Sequence, residues 1–190
     1  MKVTLISGTG SRQGQTAGAI SAFERGVLGG GAEVEKFFLP AVTIERCRQC
    51  EDNGWGICRE QATCIIEDDF VSIVDTIKAS DAVVFATPVY SGDMAESLRA
   101  FLDRLRRTCF HQKRPIKGMP AVAFCVAGGS GRNAVSCCIA LEKYIVMCGF
   151  DLVDIVPVRR QNLDFKKPIL EATGKWLTNI PAPVEVSDRN

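Results

Sequence analysis

The chain has a single histidine, His111, so a metal site built from several imidazoles is excluded. Charge of one sign is missing too. Lysine and arginine number 23 against 22 acids, and a net charge of +1 gives no reason to expect nucleic acid or an acidic membrane surface as a partner. No apolar stretch approaches the length of a membrane span, and the first residues enter a strand pattern without a cleavable apolar segment. The expectation is a cytoplasmic protein with neither nucleic acid nor membrane among its partners. Gly129-Ser130-Gly131 lacks the spacing of a nucleophile elbow, and no serine–histidine–acid arrangement has local support, which disfavours hydrolysis. Internal repeats and low-complexity segments are absent as well.

What is present is enough apolar material, 46% of 190 residues, for one core, so a single domain over 1–190 is expected. Apolar runs at 3–6, 82–87 and 121–127 are continuous rather than alternating, the pattern of parallel strands covered on both faces. Residues 33–39 and 151–158 read as further strands, the first more polar and so nearer an edge. Helical spacing lies between them: Ile20, Phe23 and Val27; Phe70, Val74 and Ile77; Leu98, Phe101, Leu102, Leu105 and Cys109; Leu141, Ile145 and Cys148; Ile169, Thr173, Trp176 and Ile180. Five β-α units predict a doubly wound parallel sheet, because parallel neighbours require helical crossovers. The tail after Pro181 is expected to be loosely held.

Ligands in such sheets bind beyond the carboxyl ends of the strands, so the loops there carry the functional signal. The first, Gly8-Thr9-Gly10-Ser11-Arg12-Gln13-Gly14-Gln15-Thr16, turns from strand into helix and aims free backbone N–H groups at one spot beside several hydroxyls. A P-loop is excluded: five residues separate Gly8 from Gly14, and Gln15 stands where the lysine belongs. The dinucleotide fingerprint fits poorly, with Gln13 at its third glycine position and no acidic residue closing the second strand at Leu39-Pro40. A hydroxyl-rich loop suits a phosphate monoester. Thr87-Pro88-Val89-Tyr90-Ser91-Gly92-Asp93 follows the third strand and Gly128-Gly129-Ser130-Gly131 the fourth, so three small-residue loops would meet at one crevice.

A flavin mononucleotide would give each loop a task. Thr9, Ser11 and Thr16 would hold the phosphate at the helix N-terminus, while Pro88, Tyr90, Ser91 and Gly92 frame a flat ring and the third-loop glycines approach its other side. Arg12 either adds a charge to the phosphate or faces solvent. Together with Ala86-Thr87 and Phe101-Leu102-Asp103-Arg104, these segments resemble the NAD(P)H-dependent FMN reductase and iron–sulfur flavoprotein group of the flavodoxin-like superfamily, over roughly residues 1 to 150. The resemblance implies a flavodoxin-like α/β fold: a doubly wound five-stranded parallel sheet of order 2-1-3-4-5, helices on both faces, and a cysteine-bearing insertion after strand 2. It implies phosphate binding by Thr9, Ser11, Gly14, Gln15 and Thr16, and ring binding by Pro88, Val89, Tyr90, Ser91, Gly92, Gly128 and Gly129. It further implies an FMN-dependent NAD(P)H oxidoreductase of the flavin or quinone reductase type, assembled as a homodimer or homotetramer. Its acceptor, a small molecule or a protein, is left open, as is the choice between NADH and NADPH. Gly10-Ser11 replaces a proline–arginine pair common in the family.

Of nine cysteines, Cys109, Cys125, Cys137, Cys138 and Cys148 lie in apolar patterns and read as small buried hydrophobes. Cys47, Cys50, Cys58 and Cys64 crowd into eighteen polar positions, 47–64, ahead of the acidic pair Asp68-Asp69, which is expected to cap a helix. Iron–sulfur flavoproteins carry a cysteine motif at this place, which implies a [4Fe–4S] cluster on these four. The family's third ligand position falls on Asn53, so Cys58 would replace it from an insertion containing Trp55. Four thiolates also make a closed zinc site, and free thiols or a labile disulfide are the third reading. The corresponding alternatives in function are a non-enzymatic electron carrier and a zinc-stabilised binding module. His111, beside Lys113 and Arg114, is expected at the surface or against a neighbouring subunit.

Overall fold

The computed structural model describes residues 1–109 and 116–180, so the expectations for His111 and for the tail after Pro181 lie outside the described residues. Along the chain run β1 (Lys2–Ser7), α1 (Gln15–Gly29), β2 (Glu33–Phe38), α2 (Cys58–Gln61), α3 (Phe70–Lys78), β3 (Ala82–Tyr90), β4 (Asp93–Met94), α4 (Glu96–Cys109), β5 (Pro120–Ala127), α5 (Ala134–Cys148), β6 (Asp151–Arg159) and α6 (Leu163–Leu177). The five long strands lie parallel in the order β2-β1-β3-β5-β6, which is the flavodoxin-like order. The more polar β2 is an edge. An addition that the sequence pattern did not disclose is β4, which pairs antiparallel with the end of β3 through Val89–Met94 and Tyr90–Asp93. Ser91 and Gly92 make the two-residue turn between them, with φ of 51° and 87°, and a turn with both central residues left-handed matches the twist of such a hairpin.

Period-two alternation sorts each inner strand onto two cores. Val83 and Phe85 of β3 join Ile6, Ala123 and Cys125 beneath α3, α4 and α5, whereas Ala82, Val84 and Ala86 join Val3, Leu5 and Phe124 beneath α1 and α6. Continuous apolar runs are the result, since both directions are dry. The face of α6 differs from its expected one. Leu170, Thr173, Gly174 and Leu177 are buried, while Trp176 is 48% exposed. The cause is a backbone-to-backbone contact: a methyl group at Gly26 would collide with the Glu171 carbonyl, and one at Gly174 with the Phe23 carbonyl. Two facing glycines let α1 and α6 approach closely and set the rotation of α6.

The five cysteines assigned to the core are all buried. Hydrogen bonds with Cys137 and Cys138, with burial adding to them, push the Cys125 thiol far up, so it stays protonated and packs as an inert group. Among the described residues, no helix is long and apolar enough to cross a membrane.

Candidate functional site

At the carboxyl end of the sheet the three loops meet around one open crevice with about 1150 Å³ of empty space. Thr9, Ser11, Gly14, Gln15 and Thr16 line it from the first loop, Pro88, Val89, Tyr90, Ser91 and Gly92 from the second, and Gly128 and Gly129 from the third. Every phosphate and ring position read from the sequence is therefore brought to the same place. The crevice sits where strand order reverses, with β1 and β3 sending their following helices to opposite faces.

Local chemistry explains the shape of the first loop. Gly8 has no room for a side chain, because a Cβ there would lie 3.0 Å from the Ala95 Cβ and 3.1 Å from the Leu98 Cβ at the start of α4. The Gly8 N–H donates to the Ala86 carbonyl at 2.9 Å, and the Ser11 N–H donates to the Thr9 hydroxyl at 3.3 Å. Accepting that bond leaves the buried Thr9 hydroxyl its own proton to donate. Helix α1 begins after Gly14 with no side-chain cap and no acidic residue in its first turn, so its first N–H groups remain available for an anion. Arg12 does not line the crevice; it is exposed, as one of its two expected placements had it, with its guanidinium 4.0 Å from the centre of the Phe38 ring.

The other loops are tied from outside. The Thr87 hydroxyl accepts from the Ala95 N–H at 2.9 Å and donates to the Pro88 carbonyl at 2.8 Å, which joins the end of β3 to the start of α4. Gln161 Nε2 donates to the Ser130 carbonyl at 3.1 Å and holds the third loop against the end of β6. Val126, Ala127, Ser130, Arg132 and Asn133 also line the crevice and were not read as site residues from the sequence. Their signal was positional: all five sit directly at or after a strand's carboxyl end. Asn133 is left-handed, with φ of 65°, and a Cβ on Gly92 would stand 3.2 Å from its side-chain nitrogen.

A second cavity, with about 380 Å³ of empty space, lies on the α4 face after β2. Cys47, Cys50, Cys58 and Cys64 all line it, with Arg104 and Arg107. The four thiols are half-buried and free. They surround the cavity without converging on one point: among the described residues, no three His, Cys, Asp or Glu side chains stand close enough to hold a single ion. Gln49, Glu51 and Ala62 here have positive φ, and the two other such non-glycine residues, Ser91 and Asn133, border the crevice. Left-handed non-glycine backbone, which costs free energy, thus occurs at these two places among the described residues.

Asp68 and Asp69 do more than open α3. Asp69 makes no side-chain cap bond and instead accepts from the Thr43 N–H at 2.7 Å, while Asp68 accepts from the Phe70 N–H at 3.1 Å and the Glu45 N–H at 2.8 Å. Both carboxylates therefore anchor the chain that leads into the cysteines. Asp68 also takes two bonds from Arg104, at 2.5 and 2.9 Å, with both side chains 1% exposed. Burial pushes the Asp68 carboxyl up, but the Arg104 hydrogen bonds, the two backbone bonds and the Arg104 charge outweigh it and hold the carboxyl below its usual range.

With this geometry in place, comparison with known proteins decides the family. The family model described as NADPH-dependent FMN reductase matches residues 1–155. The chain belongs to the NADPH-dependent FMN reductase family. It is 32% identical over 145 residues to an iron-sulfur flavoprotein of Methanosarcina thermophila, a match covering 72% of this chain and 70% of that protein. An iron-sulfur flavoprotein of Methanocaldococcus jannaschii is 29% identical over 131 residues, covering 68% of this chain and 65% of that one. Among solved structures, the NAD(P)H:quinone oxidoreductase from Methanothermobacter marburgensis superposes with a TM-score of 0.69 at 19% identity, covering 93% of this chain and 96% of that one. At that identity the likeness establishes the flavodoxin-like fold of this FMN reductase family member.

Proposed function

We propose that the protein is an FMN-dependent NAD(P)H oxidoreductase of the flavin or quinone reductase type, with an iron–sulfur cluster on Cys47, Cys50, Cys58 and Cys64. The observation that carries the FMN part is the single crevice in which an uncapped helix N-terminus, buried hydroxyls and two glycine-bearing loops face one another. These groups fit the cofactor's two ends. The α1 N-terminus with Thr9, Ser11, Gly14, Gln15 and Thr16 suits a phosphate dianion, and among the described residues no carboxylate lines the crevice to repel it. Arg132 adds a cation at the rim. Pro88, Val89, Tyr90, Ser91, Gly92, Gly128 and Gly129 offer backbone and one aromatic edge to a flat ring.

When bound, FMN supplies hydride acceptance from a nicotinamide and onward electron transfer, so no dedicated acid or base is required of the chain. The chain's own task is position and polarity. Thr87 and Gln161 keep the second and third loops in place, and Val126 and Ala127 add apolar lining to the crevice.

The cysteine site also fits the group proposed for it. Four half-buried thiols line one cavity, and four thiolates are the donor set of a [4Fe–4S] cluster. This same cavity favours a second reading, a non-enzymatic electron carrier for a protein partner. No disulfide joins the cysteines among the described residues, which suits the reducing cytoplasm. Exposed Val135, Ile139, Val146 and Met147 on α5 favour a homodimer or homotetramer.

Absorption spectra with iron, sulfide and zinc determination on anaerobically purified protein test both cofactors. Flavin absorbance with iron and sulfide is expected, and protein that neither contains flavin nor takes up added FMN refutes the main reading. Rapid bleaching by NADH or NADPH distinguishes the oxidoreductase from the carrier.

A further inference from the structure

Arg104 is the bulkiest of the fully buried side chains, and it lines the cavity of the four cysteines. Its two terminal nitrogens are occupied. Nη1 donates to Asp68 at 2.5 Å and to the Glu45 carbonyl at 3.1 Å, Nη2 donates to Asp68 at 2.9 Å, and the Phe70 ring lies 4.2 Å from the guanidinium carbon. Its Nε is buried with no hydrogen-bond partner. A buried N–H without an acceptor carries the full desolvation penalty of a lost bond, so its retention in an otherwise satisfied arginine points to a missing acceptor. The Cys64 thiol lines the same cavity and interacts with the guanidinium. Arg107 is placed differently: it donates to the Gly54 carbonyl at 2.7 Å and lies 4.8 Å from the Trp55 ring, on the rim.

We infer that Arg104 is the positioning residue of the four-cysteine site, its Nε–H donating to the Cys64 sulfur or an adjoining inorganic sulfide when an iron–sulfur cluster is held there. The inference rests on the cluster reading given above. Asp68 neutralises the guanidinium, so Arg104 acts through a directed donor more than through net charge. A hydrogen bond to cluster sulfur favours the electron-rich state and raises the reduction potential. The bond also fixes the end of the cysteine segment to α4, since one guanidinium holds Glu45 before Cys47 and interacts with Cys64 at the segment's other end.

The test compares wild type, Arg104→Lys and Asp68→Asn, each reconstituted anaerobically with iron and sulfide, by metal and sulfide content and by redox titration followed by electron paramagnetic resonance. Potentials are compared for the loaded cluster of each protein, with the measured iron and sulfide content stated beside them. Arg104→Lys keeps the charge and loses the Nε–H, and its cluster potential should fall by a tenfold change in the one-electron equilibrium, about 59 mV. Asp68→Asn keeps the Nε–H and removes a carboxylate, so its potential should rise. Shifts of the same sign in both variants, or equal potentials in all loaded proteins, overturn the inference while leaving the cluster reading intact. Folded wild type that takes up no iron and sulfide overturns the cluster reading and the inference with it. Should Arg104→Lys fail to fold, the neutral pair Arg104→Gln with Asp68→Asn is read against wild type, whose Arg104–Asp68 pair carries the same net charge, and the same fall is expected.

Discussion

Replacing Asp68 by alanine should destabilise this protein more than replacing its neighbour Asp69, although both carboxylates stand at the same helix end. Asp68 accepts four hydrogen bonds: two from Arg104 at 2.5 and 2.9 Å, one from the Glu45 N–H at 2.8 Å and one from the Phe70 N–H at 3.1 Å. Its removal leaves a buried guanidinium without a counter-charge, a change that costs about 3–5 kcal/mol. Asp69 is exposed and its carboxylate accepts from the Thr43 N–H at 2.7 Å, so its loss should cost about 1 kcal/mol. Urea unfolding monitored by circular dichroism measures the difference, and at roughly 2–4 °C per kcal/mol the melting point of Asp68→Ala should fall by roughly 6–20 °C.

The pH dependence follows from the depressed carboxyl. Its folded pKa lies below the ordinary 3.8, so the unfolded chain binds the proton first as pH falls. The stability that Asp68 adds is complete above that value and is lost as pH drops from there through the lower folded value. The gap between wild type and Asp68→Ala should therefore be constant near neutrality and shrink in acid. Equal costs for the two alanine variants, or a gap that does not close in acid, would refute the assignment of Asp68 as the buried anchor.

Other outcomes are equally definite. Gly174→Ala drives a methyl group into the Phe23 carbonyl and should cost about 1–3 kcal/mol, whereas Gly29→Ala, with open space around it, should be neutral or stabilising in thermal melts. Thr16→Val removes a buried hydroxyl from the crevice and should weaken FMN binding about tenfold, near 1.4 kcal/mol, by fluorescence titration; an unchanged affinity would move the phosphate elsewhere. Cys58→Ser should lower iron and sulfide content while flavin content stays as in wild type, because the two cavities have separate linings.

The residues themselves determined a good deal. Continuous apolar runs at 82–87 and 121–127 required strands dry on both sides, and glycine and hydroxyl residues after them marked the loops that line the crevice. These features are legible because they depend on neighbours a few positions away. Tertiary structure alone decided the rest, through contacts between distant residues. The rotation of α6 follows from Gly26 meeting Glu171 and Gly174 meeting Phe23, so periodicity within α6 misplaced Trp176. The exposed Arg12 rests on the ring of Phe38, twenty-six positions further along the chain. Asp68, which reads locally as a helix cap, gained its main partner from Arg104 on α4. Charge pairing and backbone approach act through space, and sequence spacing does not encode which distant group will fill that space.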